Sequence, residues 1–272
     1  MRRSDRVVVK IGTSSIVSAE NYASVDFARV KKIVRAVVRL KQKGVDVILV
    51  VSGAVAAGME ELKMKNRPQL LDELQAVAAV GQPLLVSAYR QFFQRSSAYS
   101  AQILLTKDDI ADFVRQDNIR RTIDELLKSN IVPIINENDT VATEELTFGD
   151  NDKLAALVAS ACSACKLYLF SDVDGLYDAP PNADGSGVSA KLITAVEGIS
   201  GLDELEKVIQ VGASASSLGT GGMRTKLQAA RIAIAAGIEC HIANSGKMQG
   251  VFFEQTPHTQ ILLVCTHEEG EA

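Results

Sequence analysis

The chain has 272 residues, a hydrophobic share of 47% and a net charge of −4, which together allow one large domain with a buried core. The charge balance argues against nucleic acid as the main partner, because a polyanion usually binds a basic surface. No apolar run is long enough for a signal peptide or a membrane span, so we expect a soluble, cytoplasmic protein with no membrane partner.

Short β-rich apolar runs alternate with longer segments of helical periodicity along the whole chain. Strands are predicted at 6–11, 45–51, 99–105, 131–136, 166–171 and 238–243, and helices at 24–43, 70–94, 117–128, 151–164 and 223–236. This alternation is typical of βαβ units. The predicted fold class is therefore α/β, a three-layer sandwich with a mostly parallel central sheet. We expect one domain over 1–272, with lobes at about 1–165 and about 166–272.

The first two strands end in residues that suit an anion. In doubly wound sheets, ligands bind beyond the carboxyl ends of the strands. Lys10 lies near the end of an apolar strand, just before Gly12; it either contacts an anion or extends from an edge strand into solvent. The second strand ends in Ser52-Gly53-Ala54. The free N–H groups of such a turn suit phosphate or carboxylate, although these turns also form simply to pack a helix on a sheet.

Two polar clusters follow the strand at 131–136. The first is the run Asn136-Glu137-Asn138-Asp139, at the end of a buried strand. The second opens the helix at 151–164 and contains Gly149, Asp150, Asn151 and Asp152. Helix capping explains acidic residues at a helix start, but it does not explain two such clusters close together. We interpret them as parts of one site.

The last candidate segments lie in the second half of the chain. Ser171-Asp172 ends a strand and is either a ligand contact or an ordinary acidic turn. A glycine-rich segment then opens an amphipathic helix with Thr220, Gly221, Gly222, Met223, Arg224, Thr225 and Lys226. Lys226 lies at the positive end of that helix, where a cation is disfavoured unless an anion binds between them. The spacing matches neither a P-loop nor a dinucleotide fingerprint.

Cysteine usage does not indicate a metal centre. Cys162 and Cys165 form a CxxC, but no second pair at similar spacing completes a zinc site. We interpret them as small structural residues, with metal or redox chemistry as the open alternative. No metal-ligating residues are predicted elsewhere.

Eight segments between about residues 6 and 245 resemble the amino-acid kinase family and occur in its order. They are VVVKIGTSSI, VVSGAVAAGM, AAVGQPLL, QILLT, NIVPIINENDTVA, FGDNDKLAALVA, SDVDGLYDAPP and GTGGMRTKLQAARIA. NENDTVAT, GDNDKLAAL and GTGGMRTKLQAA resemble specifically the branch that phosphorylates glutamate. The resemblance implies ATP-dependent phosphorylation of the γ-carboxylate of L-glutamate, the first step of proline biosynthesis, by in-line transfer without a general base. Mg²⁺ is implied together with ATP.

The resemblance also implies a role for each candidate residue. Lys10 and Lys226 would hold the ATP phosphates and the migrating phosphoryl group, and Asp152 would orient these lysines. Glutamate would bind in the first lobe, at Ser52, Asp139 and Asn151, with Gly53, Ala54, Gly149 and Asp150 around them. ATP would bind in the second lobe and at the first strand, through Lys10, Gly12, Ser171, Asp172, Thr220, Gly221, Gly222, Met223, Arg224, Thr225 and Lys226.

Partners and alternatives follow from the same resemblance. Many family members carry a C-terminal PUA domain, which we expect this chain to lack. Feedback inhibition by proline, transfer of the product to a glutamyl-phosphate reductase and a homo-oligomer are implied. Acetylglutamate kinase, aspartokinase, carbamate kinase and UMP kinase are the alternatives within the fold. A non-catalytic nucleotide or amino-acid sensor is an alternative of another class, and it would be expected to lose one of the phosphate-binding lysines or Asp152.

Overall fold

The computed structural model describes residues 5–17, 24–142, 151–178, 190–204 and 222–263. Its strands are β1 (Arg6–Ile11), β2 (Asp46–Val51), β3 (Tyr99–Leu105), β4 (Ile131–Glu137), β5 (Lys166–Ser171), β6 (Leu176–Tyr177), β7 (Leu192–Ile193), β8 (Ala195–Glu197), β9 (Glu239–Asn244) and β10 (Thr259–Leu262). Its helices are α1 (Phe27–Lys41), α2 (Ala54–Glu61), α3 (Leu71–Arg95), α4 (Lys107–Ala111), α5 (Phe113–Lys128), α6 (Asn151–Ala161), α7 (198–204), α8 (Met223–Ala235) and α9 (Met248–Phe252).

Eight of these strands form one sheet in the order β3-β4-β2-β1-β5-β9-β10-β8. The first six strands of this order are parallel to one another. β10 runs antiparallel to β9, and β8 pairs in parallel with β10. β1 lies in the middle, between β2 and β5. The predicted, mostly parallel central sheet is therefore confirmed.

Helices cover both faces of the sheet. One cluster of buried side chains joins Val8 of β1 to α5, α6 and α8, and a second joins Val7, Val9 and Ile11 to α1, α3 and α9. Successive side chains of a strand point to opposite faces, so the predicted three layers are confirmed. The same alternation places Lys10 on the face of Val8, which is covered by α6 and α8.

Most predicted elements agree with the structure to within a few residues, and helix caps explain the differences. The strands at 6–11, 99–105 and 166–171 have the predicted bounds. α1 begins three residues late because the carboxylate of Asp26 accepts the N–H groups of Ala28 and Arg29. α5 begins four residues early, since Asp112 caps it by accepting the N–H of Arg115. The predicted ranges do not include α2, α4, α7, α9, β6, β7, β8 or β10.

Three described cysteines are free thiols. Cys162 and Cys240 are buried, whereas Cys165 is exposed and its Sγ lies 3.1 Å from the carbonyl oxygen of Arg6. In the described part of the chain, no helix combines the length and apolarity needed to cross a membrane. The division into lobes at about 1–165 and 166–272 stays a prediction.

A buried pair of histidines closes the sheet between β9 and β10. Nδ1 of His258 lies 2.8 Å from the carbonyl oxygen of Thr256, so this nitrogen carries a hydrogen. Nε2 of His258 then accepts from Nδ1 of His241, at 3.0 Å. Nε2 of His241 is left without a hydrogen-bond partner among the described residues. Burial, with smaller contributions from the positive charge of Lys166 and from the neighbouring His258, lowers the pKa of His241 to about 3.

We expect His241 to make the fold sensitive to acid. The side chain of His241 stays neutral in the folded state but takes up a proton in the unfolded state below about pH 6.5. The free energy of unfolding therefore decreases as the pH falls from about 6.5 to about 3. Linkage at about 1.4 kcal/mol per pH unit gives a loss of roughly 2–3 kcal/mol between pH 6.5 and 4.5. Urea unfolding at these two pH values measures it. His241→Gln should reduce the pH dependence, and an identical dependence in both proteins would contradict the assignment.

Candidate active site

Three charged side chains from distant parts of the sequence meet in the interior of the protein. Nζ of Lys10 lies 2.5 Å from Oδ1 of Asp152, and Nζ of Lys226 lies 3.2 Å from Oδ2 of the same carboxylate. The exposed fraction is 3% for each lysine and 0% for Asp152. One buried carboxylate therefore holds two ammonium groups at a single point.

Each of these side chains is placed by the end of a secondary-structure element. Lys10 is the penultimate residue of the central strand β1, between Val50 of β2 and Leu169 of β5. Asp152 is in the first turn of α6, where the helix dipole favours a carboxylate. Lys226 is in the first turn of α8, where the dipole disfavours a cation. Burying such ions costs several kcal/mol each unless opposite charges lie against them.

The arrangement suits an anion with several negative charges. The three side chains together carry two positive charges and one negative charge. Phosphate oxygens at this point would contact ammonium groups in an environment of low dielectric, where such contacts are stronger than in water. The first turn of α8 lies beside them and adds its N-terminal dipole.

A chain of buried amide side chains begins next to Asp152. Nδ2 of Asn151 lies 2.9 Å from Oγ of Ser52, 2.5 Å from the carbonyl oxygen of Val51 and 2.8 Å from Oδ1 of Asn136. Nδ2 of Asn136 in turn donates to Oε1 of Gln82, at 2.6 Å. These hydrogen bonds connect the ends of β2 and β4 with the start of α6 and the middle of α3.

Two glycines, Gly53 and Gly81, allow close backbone packing next to these amide side chains. Gly53, which precedes α2, has φ of +110°, and a Cβ there would lie 2.6 Å from Cδ1 of Ile16. A Cβ on Gly81 of α3 would lie 1.9 Å from the carbonyl oxygen of Ala54 in α2. Only glycine permits these two arrangements. The second one brings Gln82 against the amide chain.

A cavity of about 290 Å³ lies beside the amide chain, between α3, β3 and the turn after β4, and its lining includes Gln82, Glu137 and Asp139. Burial raises the pKa of Glu137 to about 7, with Lys107 opposing the rise and Asp139 adding to it. Burial also raises the pKa of Asp139 to about 6, against its own backbone N–H and Arg67. Because a bound cation favours the ionised form of a carboxyl group, this pair is suited to an ammonium ligand.

The carboxyl ends of β1 and β5 form the other side of the site. The N–H of Gly12 donates to the carbonyl oxygen of Phe170, at 3.3 Å, and a Cβ on Gly12 would lie 3.4 Å from Nζ of Lys10. Oγ of Ser171 donates to the exposed carboxylate of Asp172, whose carbonyl oxygen accepts from Asn244 of β9 at 3.0 Å. These ends lie at the same edge of the sheet as the lysine cluster, and their role as a nucleotide side stays a prediction.

The structure brings most of the predicted site residues to this edge of the sheet. Lys10, Asp152 and Lys226 are in contact, and Ser52 contacts Asn151, with Gly53 and Ala54 directly after it. Met223, Arg224 and Thr225 form the first turn of α8 after Gly222, and Oγ1 of Thr225 lies 3.5 Å from Oδ2 of Asp152. Asp139 lies on the neighbouring cavity. Gly149, Asp150, Thr220 and Gly221 lie outside the described residues.

Three polar residues of the site were not assigned from the sequence. Asn136 and Glu137 were recognised as part of a polar run after a buried strand, but neither was chosen as a ligand contact. Gln82 belongs to the AAVGQPLL segment and lies in the middle of the helix α3, where helical periodicity gives no sign of a site. Only its burial and its contact with Asn136 indicate a role.

Comparisons with known proteins agree on the family. Residues 5–244 match the amino acid kinase family. The chain is 44% identical over 246 residues to a glutamate 5-kinase of Thermoanaerobacter sp. (strain X514), a match that covers 90% of this chain and 63% of that protein. It is 40% identical over 247 residues to a glutamate 5-kinase of Clostridium acetobutylicum, covering 91% of this chain and 89% of that protein.

Solved structures support the fold. A carbamate kinase from Giardia lamblia bound to AMP-PNP superposes with a TM-score of 0.68 at 16% identity, covering 97% of this chain and 100% of that one. A UMP kinase from Ureaplasma parvum superposes with a TM-score of 0.63 at 15% identity, covering 96% of this chain and 99% of that one. At such identities the likeness concerns the fold alone. The chain spans about 63% of the length of the Thermoanaerobacter relative.

Proposed function

The chain belongs to the amino acid kinase family, and on that basis we propose that it transfers the γ-phosphoryl group of ATP to the γ-carboxylate of L-glutamate. The product is L-glutamyl 5-phosphate, as expected for a glutamate 5-kinase in proline biosynthesis. The observation that carries the proposal is the contact of Lys10 and Lys226 with the single carboxylate of Asp152. A non-catalytic sensor is disfavoured because all three of these residues are present.

The chemistry needs charge neutralisation and does not need a base. A γ-carboxylate with a reference pKa of about 4.3 is already ionised at neutral pH, so no proton has to be removed before attack. The barrier comes from bringing this anion in line with a polyanion. Ammonium groups and helix N-termini stabilise the charge that spreads over the phosphoryl oxygens in the transition state. In the proposed site Lys10 and Lys226 supply this charge, and Asp152 positions both.

We propose that Mg²⁺ enters as part of the nucleotide substrate, MgATP. Mg²⁺ usually binds through substrate phosphates together with one or two carboxylates, and it keeps several waters. Among the residues that the structure describes, no group of three or more His, Cys, Asp or Glu side chains is arranged to hold a metal ion. Glutamate would lie on the side of Ser52, Asn151 and Asp139, and ATP on the side of Gly12, Ser171 and Asp172.

Trapping the acyl phosphate tests the proposed function. Incubation with glutamate, MgATP and hydroxylamine should give glutamyl hydroxamate, with ADP formed in equal amount. N-acetylglutamate, aspartate, carbamate and UMP should be poor acceptors in parallel ADP-release assays. If one of them were much better than glutamate, the corresponding kinase of this family would replace the present proposal.

Replacing Asp139 should weaken glutamate binding more than it slows the reaction. In the proposed site its carboxylate contacts the α-ammonium group of glutamate, which carries the same charge in the ground state and the transition state. We therefore expect Asp139→Ala to raise KM for glutamate by about 10–100-fold, the range for a hydrogen bond to a charged group, with kcat changed by less than about 3-fold. Initial rates at saturating MgATP measure both constants. A fall in kcat at unchanged KM would contradict this role.

Regulation and assembly are proposed only by likeness to the family. Proline, an amino acid with one α-carboxylate and one ammonium group, is expected to inhibit by competing with glutamate. A dose response at glutamate concentrations below and above KM measures this, and a flat curve at low glutamate would exclude it. Transfer of the product to a glutamyl-phosphate reductase and a homo-oligomeric state are proposed on the same basis.

A further inference from the structure

Two buried polar atoms beside the candidate site lack hydrogen-bond partners among the described residues. They are Nε2 of Gln82 and Oε1 of Glu137. The exposed fractions of these two residues are 8% and 6%, and both line the 290 Å³ cavity next to Asp139. Leaving a buried donor or acceptor unpaired costs about 1–3 kcal/mol. Native proteins contain few such groups, and one explanation for them is a ligand that pairs with them.

The orientation of the Gln82 amide follows from its neighbours. The backbone N–H of Glu137 donates to the side chain of Asn136 at 2.9 Å, so the atom that receives it must be Oδ1. Nδ2 of Asn136 is then the atom that donates to Gln82. Gln82 must accept through Oε1, which leaves its Nε2 as a donor for another group. Flipping the Gln82 amide alone would lose its hydrogen bond with Asn136, and flipping both amides would lose the hydrogen bond from the N–H of Glu137.

Among its lining groups, the cavity thus offers the Nε2 donor of Gln82 and two carboxyl groups, a complement to an α-amino acid. An amide N–H₂ matches an α-carboxylate, and carboxylate oxygens match an α-ammonium group. Pro83 also lines this cavity and cannot donate the helical hydrogen bond that the carbonyl oxygen of Ala79 would normally accept. Ala79 lines the same wall of the cavity.

We propose that Gln82 and Glu137 recognise the α-amino-acid end of the substrate. Nε2 of Gln82 donates to the α-carboxylate, and Glu137 accepts from the α-ammonium group together with Asp139. The inference rests on the proposed function and adds to it the residues that distinguish an amino acid from a simple dicarboxylate. The Asn136–Asn151–Ser52 chain connects this end of the ligand to the lysine cluster, where the γ-carboxylate reacts.

The test compares two isosteric variants on three ligands. Gln82→Glu keeps the acceptor for Asn136 but replaces the donor, and Glu137→Gln removes the negative charge. Glutarate lacks the ammonium group of glutamate, and 4-aminobutyrate lacks its α-carboxylate. Calorimetric binding of the three compounds to the full chain gives affinities that do not depend on turnover, and hydroxamate formation gives rates. Exposed Gln91→Leu on α3 and Glu61→Gln on α2 serve as controls.

Each variant should lose affinity only for ligands that carry its partner group. Glu137→Gln should lower the affinity for glutamate about 10-fold or more and change the affinity for glutarate by less than about 2-fold. The reason is that a hydrogen bond to a charged group contributes roughly 1.5–3 kcal/mol. Gln82→Glu should lower the affinity for glutamate by a similar factor and leave the affinity for 4-aminobutyrate unchanged or higher. The KM for ATP should not move, and the two control variants should behave as wild type.

Other outcomes overturn the inference in distinguishable ways. Equal losses for all three ligands would show that the two residues act only on the fold, which thermal melting of each variant checks. If Gln82→Glu does not melt cooperatively, the test rests on Glu137→Gln, whose loss of glutamate affinity without loss of glutarate affinity is expected independently. A wild-type chain that neither binds nor phosphorylates glutamate would overturn the proposed function as well.

Discussion

Replacing either buried lysine, Lys10→Ala or Lys226→Ala, is expected to lower kcat by about 10²–10³-fold while KM for glutamate changes by less than about 5-fold. The reason is that charge spreads over the transferred phosphoryl group mainly in the transition state, and each ammonium group is held by Asp152 where that charge develops. In the proposed site the lysines would contact the phosphates and not glutamate, so we expect ground-state binding of glutamate to be little affected. Steady-state rates with both substrates varied separate the two constants.

A neighbouring lysine provides the control for this experiment. Lys153 follows Asp152 on α6 but is exposed, so Lys153→Ala should leave kcat and KM near the wild-type values. Circular dichroism confirms that each variant is folded. An unchanged kcat in both buried-lysine variants would show that neither lysine takes part in the reaction.

Neutralising the buried carboxylate in Asp152→Asn is expected to reduce both the activity and the stability of the protein. The substitution keeps the shape of the side chain but leaves two buried ammonium groups without the carboxylate between them. Breaking a buried ion pair in this way costs about 3–5 kcal/mol. Urea unfolding should show this loss without nucleotide, and kcat should fall at least as far as in the lysine variants, because neither lysine is then held in place.

If Asp152→Asn loses stability because the two ammonium groups then repel each other, a second substitution should reduce that loss. Removing one lysine as well, in Asp152→Asn with Lys226→Met, relieves the repulsion between the ammonium groups. The double variant should therefore be destabilised by less than the sum of the two single variants. ATP should also stabilise Asp152→Asn against unfolding, because its phosphates restore negative charge between the lysines. Additive losses would show that Asp152 acts through packing alone.

The sequence patterns located the sheet and its reactive edge well. Valine-rich runs separated by helical stripes predict parallel strands buried on both faces, and polar residues directly after such strands must lie at one edge. Lys10, Ser52 and Ser171 lie at or directly after the carboxyl ends of their strands, as this argument predicts. The helix limits were less accurate, because caps such as Asp26 and Asp112 compete with hydrophobic periodicity.

Local sequence by itself determined most of the longer strands and helices, because the spacing of apolar residues reflects the period of each element. It also determined that a lysine stands near the end of the central strand and another at the start of a helix. Only the tertiary structure decided that both reach one carboxylate, and that Gln82 from the middle of α3 meets Asn136 and lines a cavity with Glu137. These contacts join residues far apart in the chain, and their geometry depends on how the helices pack against the sheet, which no local spacing encodes.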